Sequence, residues 1–337
     1  MTRYEPPSPE IVAAAARRVG LTLTSEAAAM FARYGAELAF AYHRVDDLEE
    51  YLPQPNPAER TFTHPTVGEN QFGAWLVKSS IRRGVVGKLT GKRIAIKDTV
   101  AVAGLPMTDG TDFLAHVPAF DATIVSRILD AGGEIAGKAV CEFLSYSSGS
   151  HTAVSGPVKN PVKPGYSTGG SSSGSAALVA AREVDMAIGG DQAGSIRIPA
   201  AHCGLFGLKP TFGRVPYAGA VSSEFVIDHL GPITATVEDN ALLLECIAGS
   251  DPLDPRTAGT PPPGDYRAAL GTSIGGLSIG VVAEGFGHRG SMAEADATVR
   301  RASAEFARLG AKVETIALPP HRDGLAIWLV FAMEGYF

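Results

Sequence analysis

The run Gly169-Gly-Ser-Ser-Ser-Gly-Ser-Ala-Ala177, followed by Gly189-Gly-Asp-Gln-Ala-Gly-Ser-Ile-Arg-Ile-Pro199, decides how the rest of the chain is read. Small residues, serines and one carboxylate crowd together where a folded core would place bulk. A serine-glycine run by itself reads as a flexible linker. Here the small-residue segment Ala176-Ala-Leu-Val-Ala180 follows at once and anchors it as the start of a helix. Upstream, Ile94-Ala-Ile-Lys97-Asp98 places a lone lysine in an apolar strand. A serine hydroxyl is a weak nucleophile until a base takes its proton. A buried lysine is such a base when burial lowers its proton affinity. Serine with lysine is one of the arrangements that replace the histidine triad. The competing reading is a structural lysine paired with a carboxylate, for which Asp98 is the nearest in sequence.

Working outward, short β-rich runs alternate with helices from about residue 90. The patterns predict strands at Arg93–Asp98, Glu134–Ala139, Val184–Ile188, Leu277–Val282 and Lys312–Ile316. They predict helices at Ala122–Ala131, Ser172–Arg182, Val237–Gly249 and Ala295–Leu309. This alternation implies an α/β fold, a mixed β-sheet flanked by helices. Residues 9–50 read as two helices, the first opened by Ser8-Pro-Glu and the second by Ser25-Glu-Ala-Ala-Ala-Met. Pro53, Pro55 and Pro57 then mark a linker. Two domains follow: a helical segment with its linker, 1–60, and an α/β domain, 61–337. The helical segment is either a hairpin packed on the core or a dimerisation arm. The last stretch, from Ala326 to Phe337, is strongly apolar and ends without a polar cap.

Composition excludes several classes. Of 337 residues, 45% are hydrophobic and 19% charged, as in a globular protein; the net charge of −6 argues against a nucleic-acid surface. The first residues lack the apolar run of a secretory signal, and no apolar stretch is long enough to span a bilayer. Three scattered cysteines, Cys141, Cys203 and Cys246, read as buried thiols in a reducing, cytoplasmic setting. No Cys/His cluster has metal-ligand spacing, so no zinc or other metal is expected; serine-lysine chemistry of this kind requires no cofactor, and none is expected. Gly169–Ser175 lacks the closing Gly-Lys-Ser/Thr of a phosphate loop. His151, His202 and His229 are rival general bases, but none has the context of a histidine triad.

Together with Ala136-Gly-Lys-Ala-Val-Cys-Glu142, Gly204-Leu-Phe-Gly-Leu-Lys-Pro210 and Asp228-His-Leu-Gly-Pro232, these motifs resemble the amidase signature family of serine amidohydrolases, over roughly residues 60 to 337. Within it the chain looks most like bacterial acylamide amidases associated with nitrile metabolism. The resemblance implies a Ser-cisSer-Lys triad. Ser195 is the acylated nucleophile, Ser171 the bridging serine preceded by a cis bond from Gly170, and Lys97 the base. It implies an oxyanion site at Gln192, Ala193, Gly194 and Ser195, with Ala193 where glycine is common. If position 193 needs a positive φ, alanine strains it. Ser172 is expected to donate supporting hydrogen bonds, and Asp191 to brace the loop or pair with Arg197.

The activity implied is hydrolysis of a carboxamide to acid and ammonia, in a homodimer acting on a small-molecule amide, with no nucleic-acid or membrane partner. The alternatives are an amidotransferase A-type subunit or a catalytically silent truncated fragment. Family members continue beyond a point corresponding to Phe337, so the C-terminal part of the family fold is expected to be missing. Phe143, Tyr146 and Phe225 are either acyl-site walls or core.

Overall fold

The computed structural model describes residues 4–48, 56 and 59–334. The expected linker prolines at 53, 55 and 57 and the last three residues lie outside the described residues. Residues Met1–Leu52 form one compact unit and Pro53–Phe337 another.

In the first unit, α1 (Pro9–Arg18) starts where Ser8 accepts the Ile11 N–H, with Pro9 in the first turn, where its missing N–H costs nothing. Helix α2 (Ser25–Asp46) starts where Thr24 accepts the Ala27 N–H. The two helices pack on each other. Phe31, Leu38 and Phe40 on α2 are exposed.

The second unit is built on a seven-stranded sheet. Its strands are β1 (Phe62–Thr63), β2 (Trp75–Ile81), β3 (Arg93–Lys97), β4 (Glu134–Ala139), β5 (Met186–Asp191), β6 (Phe206–Gly207) and β7 (His229–Thr234). Their spatial order is β1-β2-β4-β3-β5-β7-β6. Strand β3 lies between β4 and β5 and runs parallel to both, whereas the outer pairings are antiparallel. A central strand buried on both faces needs a continuous apolar run rather than an alternating one. Ile94, Ala95 and Ile96 supply it, and Lys97 extends it into the same buried environment.

Helix α3 (Thr123–Asp130) buries Ile124, Val125, Ile128 and Leu129 on one face. They join Ile94, Ile96 and Ile135 of the sheet in the main core. Helix α4 (Ser173–Ala180) is buried from Ser173 through Val179, which its small residues permit. A short α5 (Arg197–His202) follows the Ser195 turn. Helix α6 (Val237–Ile247) starts where Thr236 accepts the Asp239 N–H, and the Arg127 guanidinium caps the far end by donating to the Ile247 and Ala248 carbonyls. Strand β8 (Ser278–Val282), α7 (Ala293–Arg308) and β9 (Lys312–Ile316) make a β-α-β crossover with parallel strands in a separate two-stranded sheet. Helix α8 (Gly324–Glu334) follows. Among the described residues no helix is long and apolar enough to cross a membrane.

The predicted strands and helices fall within a few residues of the observed ones, but four strands escape the pattern. Strand β7 contains Gly231 and Pro232, residue types that are rare inside strands; in place, the strand pairs with β5 and the Pro232 carbonyl accepts the Leu208 N–H. Strand β2 is interrupted by register shifts against β4. Strands β1 and β6 are two residues each. Strand β5 also runs past the expected end at Ile188, because Gly189, Gly190 and Asp191 pair with Gly231, Leu230 and His229.

Leu129 is fully buried in the main core, whereas Val299 on α7 is 54% exposed. Leu129→Ala should cost about 2–5 kcal/mol, and Val299→Ala less than about 0.5 kcal/mol. Denaturant midpoints of the two variants check the contrast.

Candidate active site

Lys97 is the last residue of β3, and its side chain is fully buried. Its Nζ lies 2.7 Å from Ser171 Oγ, and Ser171 is itself fully buried. Burial lowers the lysine's proton affinity, only partly offset by Cys141, Asp109, Asp191 and Asp228. An uncharged amine at this distance can accept the Ser171 hydroxyl proton into its lone pair. The rival pairing with Asp98 does not occur. The Asp98 carboxylate accepts from Thr108 N–H, Thr108 Oγ1–H and Gly110 N–H, and its nearest cation is Lys138, at 3.8 Å.

The serine loop is held by its neighbours. The Gly170–Ser171 peptide bond is cis. A Cβ on Gly170 would sit 2.6 Å from the Ser147 carbonyl oxygen, so no larger residue fits there. Ser172 is buried; its Oγ accepts the Gly190 N–H at 3.1 Å, and its own N–H donates to the Ser195 carbonyl at 3.3 Å. That pair of bonds ties the serine loop to β5 and to the Ser195 turn. Glu142, also buried, accepts from Ser173 Oγ, His151 N–H and Thr152 N–H on the other side.

Asp191, at the end of β5, both braces the turn and pairs with Arg197. Its carboxylate accepts the Gly194 N–H at 2.8 Å and the Ile196 N–H at 3.2 Å, and takes two bonds from the Arg197 guanidinium. Burial pushes this carboxyl up, but the Arg197 hydrogen bond and charge and the two N–H groups outweigh it and hold it below its ordinary range. The Gly194 N–H is therefore already engaged. Among the described residues, the N–H groups of Gln192, Ala193 and Ser195 donate to no acceptor of the chain. The Gln192 side chain points its amide at Asp228 Oδ1 (2.7 Å) and Tyr217 Oη (3.3 Å).

Ala193 does not have a positive φ, so the strain considered for alanine there is absent; the left-handed residue of the turn is Gly194, at φ 135°. A Cβ on Gly194 would also sit 2.6 Å from Ile198 Cδ1. Ser195, half-buried, lines a cleft of about 1080 Å³ together with Gln192, Ala193, Tyr146, Ile227 and Trp328. Tyr146 thus belongs to the cleft wall and stacks on Trp328, with centroids 6.1 Å apart. Phe143 instead packs edge-on against Phe113, and Phe225 lies under the Arg256 guanidinium.

The histidines are elsewhere engaged. His151 and His202 are exposed, and His229 contacts the Ile227 carbonyl and Lys209. Among the described residues none bonds Ser171 or Ser195. Cys141 and Cys203 are buried and free, and burial pushes the Cys203 thiol up to about 12; Cys246 is only half-buried. Among the described residues no group of three acidic, histidine or cysteine side chains could hold a metal. Sequence reasoning assigned no role to Asp228 or Tyr217. Asp228 stands inside a quoted motif, whereas nothing near Tyr217 in the sequence marks it as a partner of Gln192.

Gly194→Ala should destabilise the protein by about 1–2 kcal/mol through its backbone alone, with the Ile198 contact in addition. Ala193→Gly should cost no more than about 1 kcal/mol, by freeing the unfolded chain, and should relieve nothing. Urea midpoints of the two proteins test the assignment of the left-handed position.

Comparison with known proteins agrees with this geometry. Residues 75–336 match the Amidase family. An enantioselective amidase of Rhodococcus rhodochrous is 44% identical over 303 residues, covering 89% of this chain and 58% of the relative. A solved Glutamyl-tRNA(Gln) amidotransferase subunit of Thermotoga maritima superposes with a TM-score of 0.70 at 33% identity, covering 78% of this chain and 58% of that one. The native peptide amidase of Stenotrophomonas maltophilia superposes with a TM-score of 0.64 at 32% identity, covering 72% and 51%. The chain spans about half to three fifths of the length of these relatives. The matched region takes in the Lys97 strand, the serine loop and the Ser195 turn, and the chain belongs to the amidase signature family.

Proposed function

We propose that the protein is an amidase that hydrolyses a small carboxamide to the carboxylic acid and ammonia through an acyl-enzyme on Ser195. The observation that carries this reading is the 2.7 Å contact between the fully buried Lys97 amine and Ser171. Uncharged Lys97 accepts the Ser171 proton as Ser171 accepts the Ser195 proton, and Ser195 Oγ attacks the amide carbon. The oxyanion is held by peptide N–H groups from Gln192, Ala193 and Ser195, while Gly194, with its N–H committed to Asp191, shapes the turn. Ser171 returns the proton to the leaving nitrogen, the C–N bond breaks and ammonia departs. Water then attacks the acyl ester by the reverse proton route, releasing the acid and restoring Ser195. Atoms and protons balance with the chain and water alone, so no cofactor is invoked. Asp191, Arg197, Ser172 and Gly170 act as supports that hold the loops.

The amidase reading extends to a cytoplasmic homodimer of the kind associated with nitrile metabolism. The free cysteines support the location, and the exposed Phe31, Leu38 and Phe40 of α2 support a second copy as partner. The similarity to the amidotransferase protein of Thermotoga maritima supports a second reading, in which ammonia is made from glutamine for a partner complex.

An ammonia-release panel of aliphatic, aromatic and amino-acid amides separates the two, because the amidase should act on simple amides with no partner present. Ser195→Ala and Lys97→Ala should each lower turnover by about a thousandfold or more. Added hydroxylamine should divert the acyl group to a hydroxamic acid. Near-normal turnover by the Lys97→Ala protein removes the mechanism.

A further inference from the structure

Asp228 is buried and takes no part in the proton route proposed above. The sheet puts it where it is. Strands β5 and β7 are antiparallel, and their last paired residues at this end are Asp191 and His229. One step further, Gln192 leaves β5 and Asp228 leads into β7, so the register sets the two opposite each other. Their side chains continue the ladder: Gln192 Nε2 donates to Asp228 Oδ1 at 2.7 Å.

The two oxygens of Asp228 serve different segments. Oδ1 takes the Gln192 amide, which belongs to the turn that carries Ser195. Oδ2 takes Ser222 Oγ–H at 2.6 Å, Ser223 N–H at 3.0 Å and Glu224 N–H at 3.2 Å. Ser223, Glu224 and Ile227 line the cleft together with Ser195. One carboxylate thus fastens a wall of the cleft to the turn that holds the nucleophile. Tyr217 adds to the same junction. Its Oη accepts the Gln192 amide at 3.3 Å and donates to the Val221 carbonyl at 3.1 Å. The Arg256 guanidinium, paired with Asp254, lies 4.7 Å from the centroids of both the Tyr217 and Phe225 rings.

Burial pushes the Asp228 carboxyl up, and the Ser222 and Gln192 bonds work against that push. Taking a donor from a buried anion is costly, so the Gln192 contact is held firmly. The direction of a peptide N–H is set by the residues on either side of its plane. For the Gln192 N–H these are Asp191, which the ladder holds, and Gln192, which has left the ladder and is held by its side chain.

We propose that Asp228 is a positioning residue that acts through Gln192, aiming the Gln192 peptide N–H at the oxyanion and joining the 222–224 wall to the turn. This rests on the reading of that turn as the oxyanion site of an amidase. Donors already aimed at the developing charge act without reorganisation, and a displaced donor loses much of its effect.

Gln192→Met keeps the peptide N–H and removes the side-chain amide. Its kcat should fall about ten- to a hundredfold while KM changes less than about threefold. Gln192→Glu sets two carboxylates face to face and should lose at least as much. Adding Asp228→Asn to Gln192→Glu exchanges donor and acceptor with the charge count unchanged, and should win back about tenfold or more in kcat, a rescue that a merely structural role does not give. Gln192→Met and Gln192→Glu should also speed amide hydrogen exchange at 222–228, where neither changes a residue, and the reciprocal pair should slow it again; this arm needs no turnover. A Gln192→Met protein with the parent's kcat, a reciprocal pair no faster than Gln192→Glu alone, or unaltered exchange at 222–228 in Gln192→Met overturns the proposal. A parent protein that releases no ammonia from any amide, with exchange rising and returning as stated, removes the amidase reading and leaves the link between wall and turn standing.

Discussion

Everything at the site depends on keeping one amine in the interior without a full counter-charge. Burying an ammonium costs several kcal/mol unless it is paired, and the group escapes that cost by giving up its proton. The fold pushes Lys97 in this direction by position. Lys97 ends the central strand β3, walled by β4 and β5, and its Nζ lies close to Gly190, on which a Cβ would sit 3.4 Å away. The neighbouring carboxylate is withdrawn, since Asp98 turns to Thr108 and Gly110. Lys138 makes the contrast plain. It is equally buried, but two backbone carbonyls and Asp98 surround its amine, and it can stay a structural cation. Lys97 has a hydroxyl at 2.7 Å instead.

The same economy shapes the serine loop and the turn. Donors aimed at developing charge are effective when they need not reorganise. Ser172 supplies rigidity by bonding β5 and the Ser195 turn at once, and Asp191 does so by committing its carboxylate to the turn's own N–H groups. This bracing consumes one of the four peptide donors at 192–195 and fixes the direction of the others. The small residues Ser173 to Ala177 of α4 follow from the same need, because they let that part of the helix be buried against the sheet.

Much of this was legible in the sequence because it is local. Lys97 stands out as a charge in an apolar run, and the serine-glycine stretch as small residues before a helix. Asp191 and Arg197 are close enough in the chain for their pairing to be expected. What escaped is long-range. Strand β7 hides behind Gly231 and Pro232 because its conformation is set by β5 rather than by its own residues. The engagement of the Gly194 N–H and the ordinary φ of Ala193 depend on how the turn closes, which composition does not specify.

The buried groups beside the Ser195 turn and the lining of the cleft are built on different principles. Lys97, Ser171 and Ser172 are fully buried, and each is fixed by the sheet. The cleft wall includes Tyr146, His288, His321, Leu325 and Trp328, drawn from turns and from α8, whose Leu325, Ile327 and Val330 are exposed. A change in the first group disturbs the core and the proposed proton relay together. A change in the second reshapes what enters without touching the sheet. The buried lysine and serines therefore lie in the part of the chain most constrained by packing, and the exposed wall in the part least constrained by it. The buried lysine and serines stand out in the sequence because packing constrains them, whereas the wall residues are held by few partners and carry no pattern of their own.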